Sequence, residues 1–189
     1  MTNMSSPCRE RRIFNEWSLL EQTGRANQGT LELLGRRQVP EEDVFRLAVH
    51  ETSAIVRNRE NSNLVCSHVA EVHFTRFFPS VPIEVNLQIP VLHPNVDPEN
   101  GFVCLWHKFS PADTIIDALH RLQKIISWNW VNFERVHVLQ PAAVEWFANN
   151  RTALPLGYRP ILWPEDCGLR RQCLQEDFRR RRRRLTPSG

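Results

Sequence analysis

A chain of 189 residues, 41% hydrophobic and 24% charged, has the length and composition of one globular domain, or one domain with an extension. Its formal net charge of +3 hides an asymmetry: residues 170–184 hold eight arginines against Glu176 and Asp177, which leaves the rest of the chain near −3. No window approaches the ~18 apolar residues of a membrane span. The polar start and the arginines after it lead into no apolar stretch of signal-peptide length. Five cysteines (Cys8, Cys66, Cys104, Cys167, Cys173), odd in number and irregularly spaced, argue against a disulfide framework and for a reducing, cytoplasmic setting.

In chain order, residues 9–23 are predicted to be helical, with Ile13, Trp17 and Leu20 on one face. Gly24 and Gly29 punctuate the chain, and short apolar strands are expected at 30–34 and 44–49, with 57–63 as a polar turn. Val72 and Phe74 alternate with polar neighbours. The clearest strand is 83–89, where Ile83, Val85, Leu87 and Ile89 share one face and Glu84, Asn86 and Gln88 the other. That alternation suits an antiparallel sheet wet on one side. The best helix is expected to start at Ser110-Pro111-Ala112-Asp113, with serine as N-cap and proline in the first turn. Its stripe is Ile115, Leu119, Leu122 and Ile126. A further helix is predicted over 141–149, an extended segment after Arg151, and a terminal helix over 165–184. Helix, four-stranded meander, loop and helices together make an α+β fold with the helices segregated from the sheet.

Cys104 stands out. It follows His93-Pro94-Asn95 and Gly101 on a turn-rich loop set between the clearest strand and the best helix. Together with Phe78-Pro79-Ser80-Val81-Pro82 and Ser110-Pro111-Ala112, these motifs resemble the active-site region of ubiquitin-conjugating enzymes over roughly residues 9–150. The resemblance implies a catalytic domain over 9–150 and a C-terminal extension over 151–189 that ends in the arginine-rich tail. The Asn95–Cys104 loop is a residue longer than is usual in eukaryotic members. The stretch from Cys104 to Ser110 is shorter, and Phe109 stands where the family often has tryptophan. These departures look more like bacterial homologues from antiphage-defence operons.

The implied function is a carrier. Cys104 would accept a ubiquitin-like modifier from an activating enzyme as a thioester and pass it to an amine on a target protein. By resemblance Asn95 would donate to the carbonyl oxygen that gains charge during aminolysis, although a turn asparagine can equally brace its own loop. His93 and Pro94 would shape the loop. His107, three residues beyond the thiol, would assist as a base or stand solvated. Asn132 and Glu134 fall near the place where family members carry an acidic or small polar residue. Arg9, Arg11 and Arg12 match the helix that docks the activating enzyme. Phe78 (or Phe77), Pro111 and Ala112 match the loops that dock ligases, and whether a ligase exists is not legible. The other four cysteines read as core residues.

Only Lys108 and Lys124 accompany 22 arginines. Genome composition explains this, and so does the gain to a thioester carrier in lacking acceptor amines near its own acyl group. No cofactor is expected. Nor is a metal, because Cys104-x2-His107 is half a zinc site without a second half. Arg179–Arg184 lack interleaved aromatics, so nucleic acid is not the favoured partner. Two rival readings remain: a non-catalytic adaptor on the same fold, and a cysteine hydrolase pairing Cys104 with His107, His120 or His137.

Overall fold

The computed structural model describes residues 7–39, 41–57 and 62–164. The chain opens on α1 (Pro7–Ala26), which runs past both ends of the predicted helix. Four strands follow in an antiparallel meander of order β1-β2-β3-β4: β1 (Leu31–Val39), β2 (Glu42–Arg57), β3 (Ser62–Thr75) and β4 (Glu84–Leu87). The second half carries α2 (Ile115–Ile126), a single 3-10 turn at Arg135–His137 and α3 (Pro141–Asn149). The predicted α+β order is the observed one, and α3 has the predicted bounds. The predicted terminal helix over 165–184 lies outside the described residues, as does the centre of the polar turn over 57–63. None of the described helices is long and apolar enough to cross a membrane.

The strands differ most from expectation. β2 and β3 are far longer than the predicted apolar segments, because thirteen register pairs, from Glu42↔Thr75 to Arg57↔Ser62, zip them together through polar stretches. β4 is shorter than predicted. Ile83, Val85 and Leu87 are buried as the alternation requires, but Ile89 is 62% exposed, since the chain leaves the sheet before Pro90.

α2 starts four residues later than Ser110 predicts. Ser110, Pro111, Ala112 and Asp113 close their own turn, in which Asp113 Oδ2 accepts the Ser110 N–H and Ser110 Oγ accepts the Ala112 N–H. Thr114 is the true N-cap, and with Asp117 it forms a reciprocal capping box. A further first-turn amide, that of Ile115, is satisfied from α1, whose buried Glu16 Oε2 accepts it at 2.7 Å. Desolvation pushes the Glu16 carboxyl above its ordinary range, against the pull of the Arg12 guanidinium. The stripe Ile115, Leu119, Leu122 and Ile126 is wholly buried, and each such side chain contributes roughly 1.5–3 kcal/mol.

The extended segment after Arg151 packs on the body as far as Pro164. Gln123, buried in α2, donates to Thr52 Oγ1 and the Arg159 carbonyl and accepts the Ile161 N–H. Ile161 enters the main core, and Asn27 exchanges two hydrogen bonds with the backbone of Leu162. A smaller cluster around Trp128 joins Ile55, Leu92 and Ala143, with Trp146 and Phe147 against it.

The loop that carries the thiol is fastened to the free edge of β4. Leu87 donates to the Gly101 carbonyl and Val103 donates to the Val85 carbonyl, while Val96 and Val103 pair as a bridge inside the loop. Gly101 has φ +72°, and a Cβ there would lie 2.1 Å from the Leu87 carbonyl oxygen. Backbone cannot yield as a side chain can, so both conformation and space demand glycine. Gly101→Ala is expected to cost about 2–4 kcal/mol. A urea unfolding midpoint within error of wild type would show that the loop is not held in this way.

Candidate active site

Pro94, the buried Asn95 and the 3-10 turn form one unit behind Cys104. The Asn95 carbonyl accepts the Cys104 N–H at 2.9 Å. Its side chain reaches forty residues ahead: Nδ2 donates to the carbonyls of Asn132 (2.7 Å) and His137 (2.8 Å), and Oδ1 accepts the Asn132 N–H (2.8 Å). The Pro94 carbonyl accepts from Leu139 and Gln140. Within the turn, Asn132 Oδ1 accepts the Glu134 N–H and the Glu134 carbonyl accepts the His137 N–H. A segment with no regular pattern of its own is thus fixed to the loop by one asparagine and one proline carbonyl.

This fixation brings His137 to the thiol. Cys104 Sγ and His137 Nδ1 are 3.1 Å apart. The thiol is half-buried, and desolvation raises its pKa above the ordinary thiol value, so at neutral pH it awaits a proton acceptor. An imidazole in contact supplies one in the tautomer that leaves Nδ1 unprotonated. The other edge of the same ring faces Glu134, with Nε2 to Oε2 at 3.6 Å, and His107 Nδ1 lies 3.7 Å from that oxygen. The sequence pointed to His107, the nearest histidine in the chain, for this role. It lies instead across Glu134 from His137, with ring centroids 5.9 Å apart. His120 bonds the Ile161 carbonyl, away from the thiol. The histidine beside the thiol is the one the sequence offered only to a hydrolase, and the spacing Glu134-x-x-His137 was its sole signal.

His93 is architectural. Nδ1 accepts the Asn95 N–H, the ring meets Trp128 edge-on at 4.7 Å, and buried Nε2 has no hydrogen-bond partner. Burial drives its pKa from 6.5 to about 3, outweighing the favourable Trp130 backbone. The folded state therefore refuses a proton that the unfolded chain accepts. The stability from a neutral His93 is complete above about pH 6.5 and drains away as pH falls toward about 3. Between pH 6.5 and 4.5 that amounts to roughly 2 kcal/mol. Buried His68, also shifted down by desolvation, adds to the same slope. His93→Gln is expected to lose markedly less stability than wild type between pH 7 and 4.5 in urea titrations. Identical losses would remove His93 from the account.

Other predicted site residues are placed differently from expectation. Arg9 is buried, bonding Asp43, the Phe74 carbonyl and the Thr75 carbonyl, so it anchors α1 to the sheet and presents nothing to a partner. Arg12 is partly buried on Glu16 and the Asp113 carbonyl. Phe78 is buried against Phe74, whereas Phe77 is 56% exposed beneath Arg76. Pro111 and Ala112 are exposed. Cys8 and Cys66, expected in the core, are exposed free thiols.

No protein-family model and no curated protein matches the chain. Among solved structures it is similar to a protein assigned as a ubiquitin-conjugating enzyme from Trypanosoma cruzi, at 13% identity and a TM-score of 0.53, over 80% of this chain and 94% of that one. The fold is ubiquitin-conjugating-like: an N-terminal helix, a four-stranded antiparallel sheet and helices after the thiol loop.

Proposed function

We propose that this protein is a thioester carrier, which takes a ubiquitin-like modifier from an activating enzyme onto Cys104 and hands it to an acceptor amine. The observation that carries the reading is the half-buried Cys104 thiol against His137 on a pinned loop of a ubiquitin-conjugating-like fold. In loading, Cys104 Sγ attacks the activating enzyme's thioester while His137 Nδ1 accepts the thiol proton, and the activating enzyme's own thiolate leaves. In discharge a neutral amine attacks the thioester carbonyl, its surplus proton passes to the His137 ring, and Cys104 leaves as thiolate, to which the ring returns that proton. Asn95 holds the loop and the His137 turn together throughout.

Arg11, exposed on α1, and the partly buried Arg12 would meet an activating enzyme in place of the buried Arg9, and Phe77, Pro111 and Ala112 are the exposed loop residues for a ligase. The free thiols at Cys8 and Cys66 accord with a reducing cytoplasm. The short Cys104–Ser110 stretch supports a place among bacterial homologues, with modifier conjugation in antiphage defence.

A cysteine hydrolase is the second reading, because Cys104, His137 and Glu134 stand in the order nucleophile, base and acid. At 3.6 Å, Glu134 is too far for the hydrogen bond that orients such a base. Incubation with an activating enzyme, ATP and a ubiquitin-like modifier, followed by mass spectrometry, decides between them. A carrier accumulates a reductant-labile adduct that persists in water and is discharged by free lysine. Release to water without accumulation would sink the carrier reading.

A further inference from the structure

We infer that His107, Glu134 and His137 form a zinc site beside the thiol. One ligand atom from each residue lies within 4.8 Å of the other two, and His107 Nδ1 and His137 Nε2 stand 3.7 and 3.6 Å from Glu134 Oε2. Tetrahedral zinc with bonds of ~2.0–2.1 Å holds its ligand atoms about 3.3 Å apart, so closure needs small rotations only. Those rotations fall on His107 and Glu134, whose side chains are 47% and 58% exposed, while His137 is 18% exposed and fixed. Two imidazoles and one carboxylate select zinc over magnesium or calcium, which prefer all-oxygen shells.

The second edge of the His137 ring strengthens the assignment. A metal-bound histidine commonly orients itself through its other ring nitrogen, and here Nδ1 already meets Cys104 Sγ at 3.1 Å. Zinc on Nε2 fixes the proton on Nδ1, so the ring then donates to the sulfur instead of accepting from it. Cys104 sits on the opposite ring edge from the metal and is not a ligand. The loop carrying His107 and the 3-10 turn carrying Glu134 and His137 become joined across the thiol. Of the Cys104-x2-His107 half-site in the sequence only His107 is a ligand, and its partners come from Glu134-x-x-His137, a grouping only the fold reveals.

Zinc alone is the probe, titrated against a chromogenic chelator into the full-length chain with Cys8, Cys66, Cys167 and Cys173 replaced by serine. About one equivalent is expected to bind. His107→Asn and Glu134→Gln should each weaken affinity at least ~tenfold while leaving the metal-free melting temperature unchanged, because both side chains are exposed. Cys104→Ser should bind zinc as the parent does, and magnesium should not compete. Parental affinity in both His107→Asn and Glu134→Gln overturns the site. Loss of binding in Cys104→Ser overturns the ligand set. The readout involves no modifier, so it stands or falls separately from the carrier reading.

Discussion

Cys104→Ala is expected to abolish charging outright, while alanine at Cys8 or Cys66 leaves it intact. The contrast follows from position rather than from cysteine chemistry, since all three are free thiols. Cys8 begins α1 and is exposed. Cys66 lies on β3 near Ser53, with Sγ 3.7 Å from its Oγ. Neither is placed on a loop docked to a sheet edge, and Cys104 alone of the three contacts an imidazole. Cys104→Ser should trap the modifier as an ester that resists reductant, and Cys104→Lys as an amide, because oxygen and nitrogen are poorer leaving groups than sulfur. The measurement is intact mass with and without reductant. An undiminished reductant-labile adduct on Cys104→Ala would remove the catalytic assignment.

The elements legible in the sequence were those whose residues speak for themselves locally. The helix over Pro141–Asn149 shows its proline start and apolar face directly, and the buried stripe of α2 is plain in the spacing of Ile115, Leu119, Leu122 and Ile126. Strand lengths were not legible. β2 buries Val44 and Phe45 side by side and carries an irregular register between His50 and Ala54, where Ser53 and Glu51 bond the backbone of Gly157 and Arg159 instead. A strand interrupted by a partner a hundred residues away has no period to read. Arg9 misled for a related reason: a helix-start arginine looks solvated until Asp43 and two carbonyls are found around it.

The site divides in the same way. Cys104, Gly101 and His93-Pro94-Asn95 form one short stretch, and their pattern carried the reading. His137 and Glu134 could not be placed, because their segment is positioned by hydrogen bonds to Pro94 and Asn95 rather than by any periodicity of its own. Non-local polar bracing leaves no trace in hydrophobic patterning.

That bracing makes Asn95 the most consequential residue after the thiol, and its variants separate two roles. The side chain is fully buried and makes three hydrogen bonds to backbone groups of the His137 segment. Removing it orphans two carbonyls and an amide, at ~1 kcal/mol per bond lost or more where water cannot enter. Asn95→Ala is therefore expected to cost roughly 3 kcal/mol or more of stability. Asn95→Asp should fare no better, since a carboxylate cannot donate to the Asn132 and His137 carbonyls and would face them with like charge. Both amide hydrogens already lie on those carbonyls, so donation to a reacting oxygen would require breaking a buried bond. With the brace gone His137 loses its hold beside Cys104, and loading and lysine discharge should slow together, as should alkylation of Cys104 by a small reagent that never meets a modifier. An Asn95→Ala protein with wild-type melting, loading and alkylation but slow discharge to lysine would reverse this and restore the donor role. Parallel loss of all four measures fixes Asn95 as the residue that assembles the site.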